Sequence, residues 1–70
     1  MVPTLTKRQS QLYSFIKNFI LTKGYSPSYQ EMLEHMNLHS KQGIFDYLKS
    51  LQKHGKIKQI KYMARSIEVI

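Results

Sequence analysis

The hydrophobic period of this 70-residue chain changes once, at Gly55, and that change limits what it can fold into. Before Gly55, apolar residues recur at intervals of three and four; after it, Ile57 and Ile60 flank Lys58-Gln59, and Ser66 to Ile70 alternates polar and apolar. The first pattern turns one face of a helix towards a core, and the second puts alternate side chains on one face of a strand. The expected fold class is therefore mainly α with a small β-hairpin. The chain has no cysteine, so packing rather than covalent staples must hold it together. Its length and 41% apolar content suit a single domain over 1–70 with a modest core.

Three helices are expected before the change. Thr6 and Gln9 have capping-box spacing, and Leu12, Phe15, Ile16 and Phe19 follow on one helical face. Lys23 and Gly24 suit the end of that helix, and Leu21 falls opposite its apolar stripe, capping a loop or exposed. Pro27 biases Ser26 out of the helical region. Ser28 and Glu31 form a second capping box, with Tyr29, Met32, Leu33 and Met36 as a short apolar face and Asn37 as a left-handed stop. Leu38 and His39 make a tight turn, Ser40 is placed to cap a third helix, and Ile44, Leu48 and Leu51 are its core stripe, with Tyr47 at the margin. Two helices so close together, with Leu38 inside the turn, outline a helix-turn-helix. Ile57 to Ile60 and Ser66 to Ile70 read as strands joined by Lys61, Tyr62, Met63, Ala64 and Arg65. Three helices and a hairpin make a three-helix winged helix-turn-helix.

Charge points to a polyanion. Eleven Lys and Arg against four Asp and Glu give +7. Residues 1–40 carry four basic and two acidic residues, and residues 41–70 carry seven basic and two acidic, so the C-terminal half holds most of the excess. Four carboxylates, three histidines and no cysteine offer little for acid–base or metal chemistry, so no enzyme and no cofactor are expected. No apolar run reaches membrane-spanning length and the N-terminus does not read as a signal peptide, so a cytoplasmic protein with no membrane partner is expected.

With Ile44, Leu48 and Leu51 turned inwards, the opposite face of the third helix holds Gln42, Asp46, Lys49 and Lys53, with Phe45 on one flank. Such a face suits a major groove. Gln pairs with an adenine edge, Lys reaches guanine acceptors or phosphate, Asp accepts from cytosine N4, and Phe packs on a thymine methyl. Gly43 near the helix start would let the backbone approach DNA closely. Equally, the face is an ordinary solvated surface. Free N–H groups at Ser28 and Ser40, with their hydroxyls, are placed to hold phosphate oxygens, although plain capping is the commoner use. From Lys53 to Arg65 there is no acid, while Lys53, Lys56, Lys58, Lys61 and Arg65 are basic and His54 lies among them. A wing bearing these cations suits a DNA backbone or minor groove. Edge-strand protection would explain one or two of the lysines.

Other signals are weak. His35 and His39 are four apart, but Asn37 breaks the helix between them and no third ligand is near, so no metal is expected. His54 suits a helix C-terminus, and Met32 and Met36 suit a core. Leu21, Phe45, Tyr62 and Met63 are candidates for an exposed protein-binding patch.

The order of these features resembles the N-terminal DNA-binding domain of the LexA repressor family, regulators of the bacterial SOS response. The resemblance is carried by Leu5-Thr6-x-Arg8-Gln9, Gly24-x-x-Pro27-Ser28, Glu31-Met32, Leu38 and Ser40, Leu48-Lys49-x-Leu51 and Gly55-x-Ile57. It implies that the third helix reads bases through Gln42, Gly43, Phe45 and Asp46, with Ser40 on phosphate and the wing on backbone or minor groove. Lys41, Ser28 and Lys53 join the expected phosphate contacts, and Lys49 the base-reading face. Three departures stand out. The family has an acidic residue where Phe45 stands and an Asn where Gln42 stands, so its usual operator is not expected. Its wing tip typically contains glycine, which Lys61 to Arg65 lacks. Its self-cleaving serine–lysine protease domain is missing from these 70 residues, so a fragment or a stand-alone regulator of phage or mobile-element type is expected.

The resulting expectation is sequence-specific binding of double-stranded DNA in transcriptional regulation, in a bacterial cytoplasm or nucleoid. A homodimer on two half-sites would supply the contact area that one domain lacks. The rival is a small protein-interaction module that uses Phe45 and the wing to modulate a host repressor or replication protein. RNA binding ranks last, because the aromatic residues are not laid out on a sheet as stacking platforms.

Overall fold

In the computed structural model, which describes residues 5–59 and 67–70, the chain forms α1 (Lys7–Lys23), α2 (Tyr29–His35), α3 (Lys41–Lys53), β1 (Ile57–Gln59) and β2 (Ile67–Val69). Local chemistry explains most of the boundaries. Thr6 Oγ1 accepts the Gln9 N–H at 3.1 Å while Gln9 Oε1 accepts the Thr6 N–H at 2.9 Å, closing the expected box at the start of α1. Gly24 ends α1 at φ 84°, its N–H donating to the Ile20 carbonyl at 2.8 Å. That left-handed geometry favours glycine.

The ends of α2 and α3 use one and the same device. Asn37, at φ 59°, donates its N–H to the Glu34 carbonyl, and the next N–H, of Leu38, reaches back to Leu33. At α3, Gly55 donates to Gln52 and Lys56 to Leu51. This two-bond Schellman closure satisfies carbonyls that a helix end otherwise leaves open. His54 adds to it, with Nδ1 2.8 Å from the Ser50 carbonyl oxygen.

The core draws on every element. Leu12 and Ile16 of α1, Met32 of α2, Met36 just after it, Ile44, Leu48 and Leu51 of α3, Ile57 of β1 and Ile67 of β2 are buried. Phe15 and Phe19, expected on the same stripe as Leu12, are only half-buried. The stripe of α1 is wider than the core it covers, and its rings line the margin instead. Phe15 stacks on His35 at 4.1 Å between centroids, and Phe19 meets the Tyr25 ring edge-on at 5.8 Å. Leu21 is 80% exposed, as its position opposite the stripe requires.

β1 and β2 pair antiparallel, with Ile57 opposite Val69 and Gln59 opposite Ile67. The period of two puts Ile57 and Ile67 on the core side and Lys58 and Glu68 in solvent. Ile60 and Ser66, expected at the strand ends, lie outside the described residues, as do Lys61 to Arg65. Two long-range bonds fasten this frame. Ser26, 3% exposed, accepts the Ile67 N–H on Oγ at 3.2 Å, tying β2 to the α1–α2 connection. Arg8 donates from Nη2 to the Met36 carbonyl at 2.7 Å, tying α1 to the start of the α2–α3 turn.

Gly43 faces that turn. A Cβ built there would lie 3.1 Å from Leu38 Cδ1, closer than carbon atoms normally pack. Leu38 thus fills the space that a side chain at position 43 would occupy. Gly43→Ala is expected to be near-neutral or destabilising in the native chain. In a Leu38→Ala background it is expected to stabilise by about 1 kcal/mol, the helix-propensity gain of alanine over glycine. A double-mutant cycle from denaturant melts checks this, and additive effects would show that Leu38 does not explain the glycine.

Candidate nucleic-acid interface

Burial of Ile44, Leu48 and Leu51 fixes the rotation of α3 about its axis. Gln42, Phe45, Asp46, Lys49 and Lys53 then form one exposed stripe at offsets 0, 3, 4, 7 and 11. Phe45 stands at one edge of this stripe. Gln42 donates from Nε2 to Asp46 Oδ1 at 3.2 Å, so two expected base readers already orient one another. Each keeps capacity to spare, since an amide has a second N–H and an acceptor, and a carboxylate has several acceptor sites. Lys41 is also exposed, one residue before the stripe.

Phe45 is 43% exposed, and its buried side rests on Tyr29 of α2, with the rings at 88° and 5.1 Å between centroids. Tyr29 is itself held from β1, where Gln59 donates from Nε2 to its hydroxyl. Gln59 in turn accepts at Oε1 from Gln52 Nε2 of α3 at 3.2 Å. A chain of side chains thus runs from the exposed stripe through α2 and the wing and back to α3. No spacing in the sequence announces it.

Two of the expected positions have partners within the chain. The Ser28 N–H is not free: it donates to Glu31 Oε1 at 2.8 Å, while Ser28 Oγ accepts the Glu31 N–H at 3.2 Å. A carboxylate of the chain itself therefore sits at the start of α2, the plain capping expected there. The close approach assigned to Gly43 has an internal cause, namely Leu38. Ser40 differs from Ser28. It occupies the N-cap position of α3 with extended backbone, φ −139° and ψ 149°, yet its side chain makes no capping bond, and it is exposed. The first turn of α3 also has no acidic residue. This leaves the positive end of its dipole without an internal counter-charge there.

Of the expected wing cations, Lys56 and Lys58 are exposed beside Lys53, whereas Lys61 and Arg65 lie outside the described residues. Leu21 and Phe45 have different neighbours: Leu21 lines a shallow cleft with Lys17, Ile20 and Val69, and Phe45 rests on Tyr29. Tyr62 and Met63 lie outside the described residues. The His35 ring is engaged by Phe15, and among the described residues no three His, Cys, Asp or Glu side chains gather as a metal site. No helix among them is long and apolar enough to cross a membrane.

A short helix, a tight turn, a second helix with an exposed polar stripe and an antiparallel hairpin behind it define a winged helix-turn-helix domain. The LexA DNA binding domain family profile matches residues 2–66. The chain is 42% identical over 66 residues to the LexA repressor of Pelagibacter ubique, and 41% identical over 66 residues to that of Staphylococcus haemolyticus. It is 41% identical over 70 residues to that of Clostridium kluyveri. These matches cover 94%, 94% and 100% of the chain, but only 29%, 32% and 35% of the relatives, so it spans about a third of their length. The chain belongs to the LexA DNA-binding domain family.

The two serines should separate by experiment. Ser28→Ala removes a closed cap and is expected to cost about 1 kcal/mol of stability. Ser40→Ala is expected to change stability by only a few tenths of a kcal/mol, because its hydroxyl caps nothing. Urea melts of both variants check this; equal losses would show that Ser40 caps α3 in solution.

Proposed function

We propose that this chain binds double-stranded DNA sequence-specifically and acts in transcriptional regulation, as a repressor of LexA type. α3 enters the major groove with Gln42, Phe45, Asp46 and Lys49 towards base edges. Ser40, Lys41 and Lys53 meet phosphates at its two ends, and Lys56, Lys58, Lys61 and Arg65 place the wing along the backbone or in the minor groove. Gly43 lies on the turn side of the same helix, packed against Leu38, and would meet DNA only beside that contact. Ser28 serves first as a cap. The observation that carries this reading is the stripe on α3, polar and cationic, exposed along its whole length and fixed by the buried stripe opposite.

The polar groups on the stripe are the ones a major groove can address, since its base pairs present distinct sets of donors and acceptors. The basic excess of residues 41–70 supplies the sequence-independent attraction. One domain of this size covers limited DNA surface, so tight binding calls for a second copy on an adjacent half-site. The role is one of recognition in a bacterial cytoplasm or nucleoid, with no chemistry performed on the nucleic acid.

Selection from a randomised double-stranded DNA pool, followed by sequencing, is expected to enrich one motif. With about six phosphate contacts, the log–log salt slope on that site should be roughly −5. Lys49→Ala and Gln42→Ala should weaken the enriched site far more than random DNA. Salt-sensitive binding without any enriched motif would overturn sequence-specific readout and leave general affinity for polyanions.

A further inference from the structure

We infer that Phe45 reads a thymine through its 5-methyl group and that Tyr29, which does not itself reach a base, is the residue that positions it. The inference rests on the proposed DNA reading and specifies one base of the site. Within the exposed stripe, Phe45 is the one member with neither a donor nor an acceptor. A base edge offering only polar groups would be desolvated against its ring without a partner, at a cost. The major-groove edges present a single apolar group, the methyl of thymine. A 43% exposed ring flanked by Gln42, Asp46 and Lys49 therefore finds its complement in that methyl.

Tyr29 fixes where the ring stands. Its edge-on contact at 5.1 Å supports the side of Phe45 that faces the protein. The Tyr29 hydroxyl is held by Gln59 of β1, and Gln59 by Gln52 of α3, so the support is closed on itself rather than left to rotate. Gln42 and Asp46, beside Phe45 on the exposed side of α3, are bonded to one another. A pre-positioned ring loses little entropy on contact, which is what lets one methyl be discriminated.

The test uses the 70-residue chain and the DNA motif enriched from the random pool. Each thymine of that motif is replaced in turn by deoxyuridine, which pairs identically but lacks the methyl. One thymine per half-site is expected to respond, with affinity falling about fourfold, the worth of burying one methyl-sized group. Phe45→Ala should bring that thymine-to-uracil ratio close to one. Tyr29→Leu should lower the ratio, and Tyr29→Phe, which keeps the ring, should retain most of it. Thermal melts establish that each variant is folded. The ratio separates positioning from general damage, because a merely structural loss weakens thymine and uracil sites alike. An enriched motif with a flat uracil scan overturns this inference alone and turns Phe45 towards a protein partner. The absence of any motif overturns the DNA reading, and this inference with it.

Discussion

The arrangement depends on the burial of three side chains, Ile44, Leu48 and Leu51, on one face of α3. Successive residues of a helix are about 100° apart, so this burial settles the direction of every other residue on the element. A slip of one position would replace Gln42, Asp46 and Lys49 on the exposed stripe by Gly43, Tyr47 and Ser50. The same burial also seats the wing, because Ile57 and Ile67 complete the apolar cluster that the α3 stripe occupies. In a domain of this size the total stability is a few kcal/mol, and each buried aliphatic side chain contributes a large part of it. Precision at the surface is therefore inherited from packing in the interior.

The helix ends divide the chain into a closed part and an open part. α1 and α2 each satisfy their first turn with their own side chains, through Thr6–Gln9 and Ser28–Glu31. α3 does not, and the cations Lys41, Lys49, Lys53, Lys56 and Lys58 lie along it, in the turn after it and on the strand that follows. α1 and α2 thereby form a self-sufficient scaffold, while α3 and the wing keep unspent polar capacity. Ser26 ties the two parts together through the backbone N–H of Ile67, and Arg8 ties α1 to the end of α2 through the backbone carbonyl of Met36. Bonding to backbone rather than to charge leaves the basic residues of the C-terminal half available to solvent.

What was legible in the sequence follows from the range of each interaction. Both capping boxes, the left-handed stops at Gly24, Asn37 and Gly55, and the buried stripe of α3 are encoded within a few residues, and they were expected where they occur. The Arg8–Met36, Tyr29–Gln59 and Ser26–Ile67 bonds join residues 28, 30 and 41 positions apart, and no periodicity predicts such pairs. The outward direction of Gln42, Asp46 and Lys49 was legible because it is the complement of burial. That Phe45 rests on Tyr29 was not, because it depends on how α2 crosses α3. Gly43 shows the limit most clearly. The sequence marks it as an anomaly in a helix, but only the fold shows that Leu38 is the neighbour it accommodates.

Because α3 separates its buried stripe from its exposed one, a residue can change on the outer face without disturbing the fold. The family resemblance places an acid where Phe45 stands, and the physical consequence of that difference has two sides. If this face approaches phosphates as proposed, removing a carboxylate from it lowers repulsion, which raises affinity for any DNA. Replacing an acceptor by an apolar ring exchanges a polar discrimination for a weaker apolar one. Both changes narrow the margin between specific and nonspecific binding for one domain. In the proposed reading that margin is recovered by pre-positioning the ring on Tyr29 and by pairing two half-sites, whose discriminations multiply when both are occupied. In that reading, the demand for a second copy follows from the chemistry of the proposed reading face as well as from the small size of the domain.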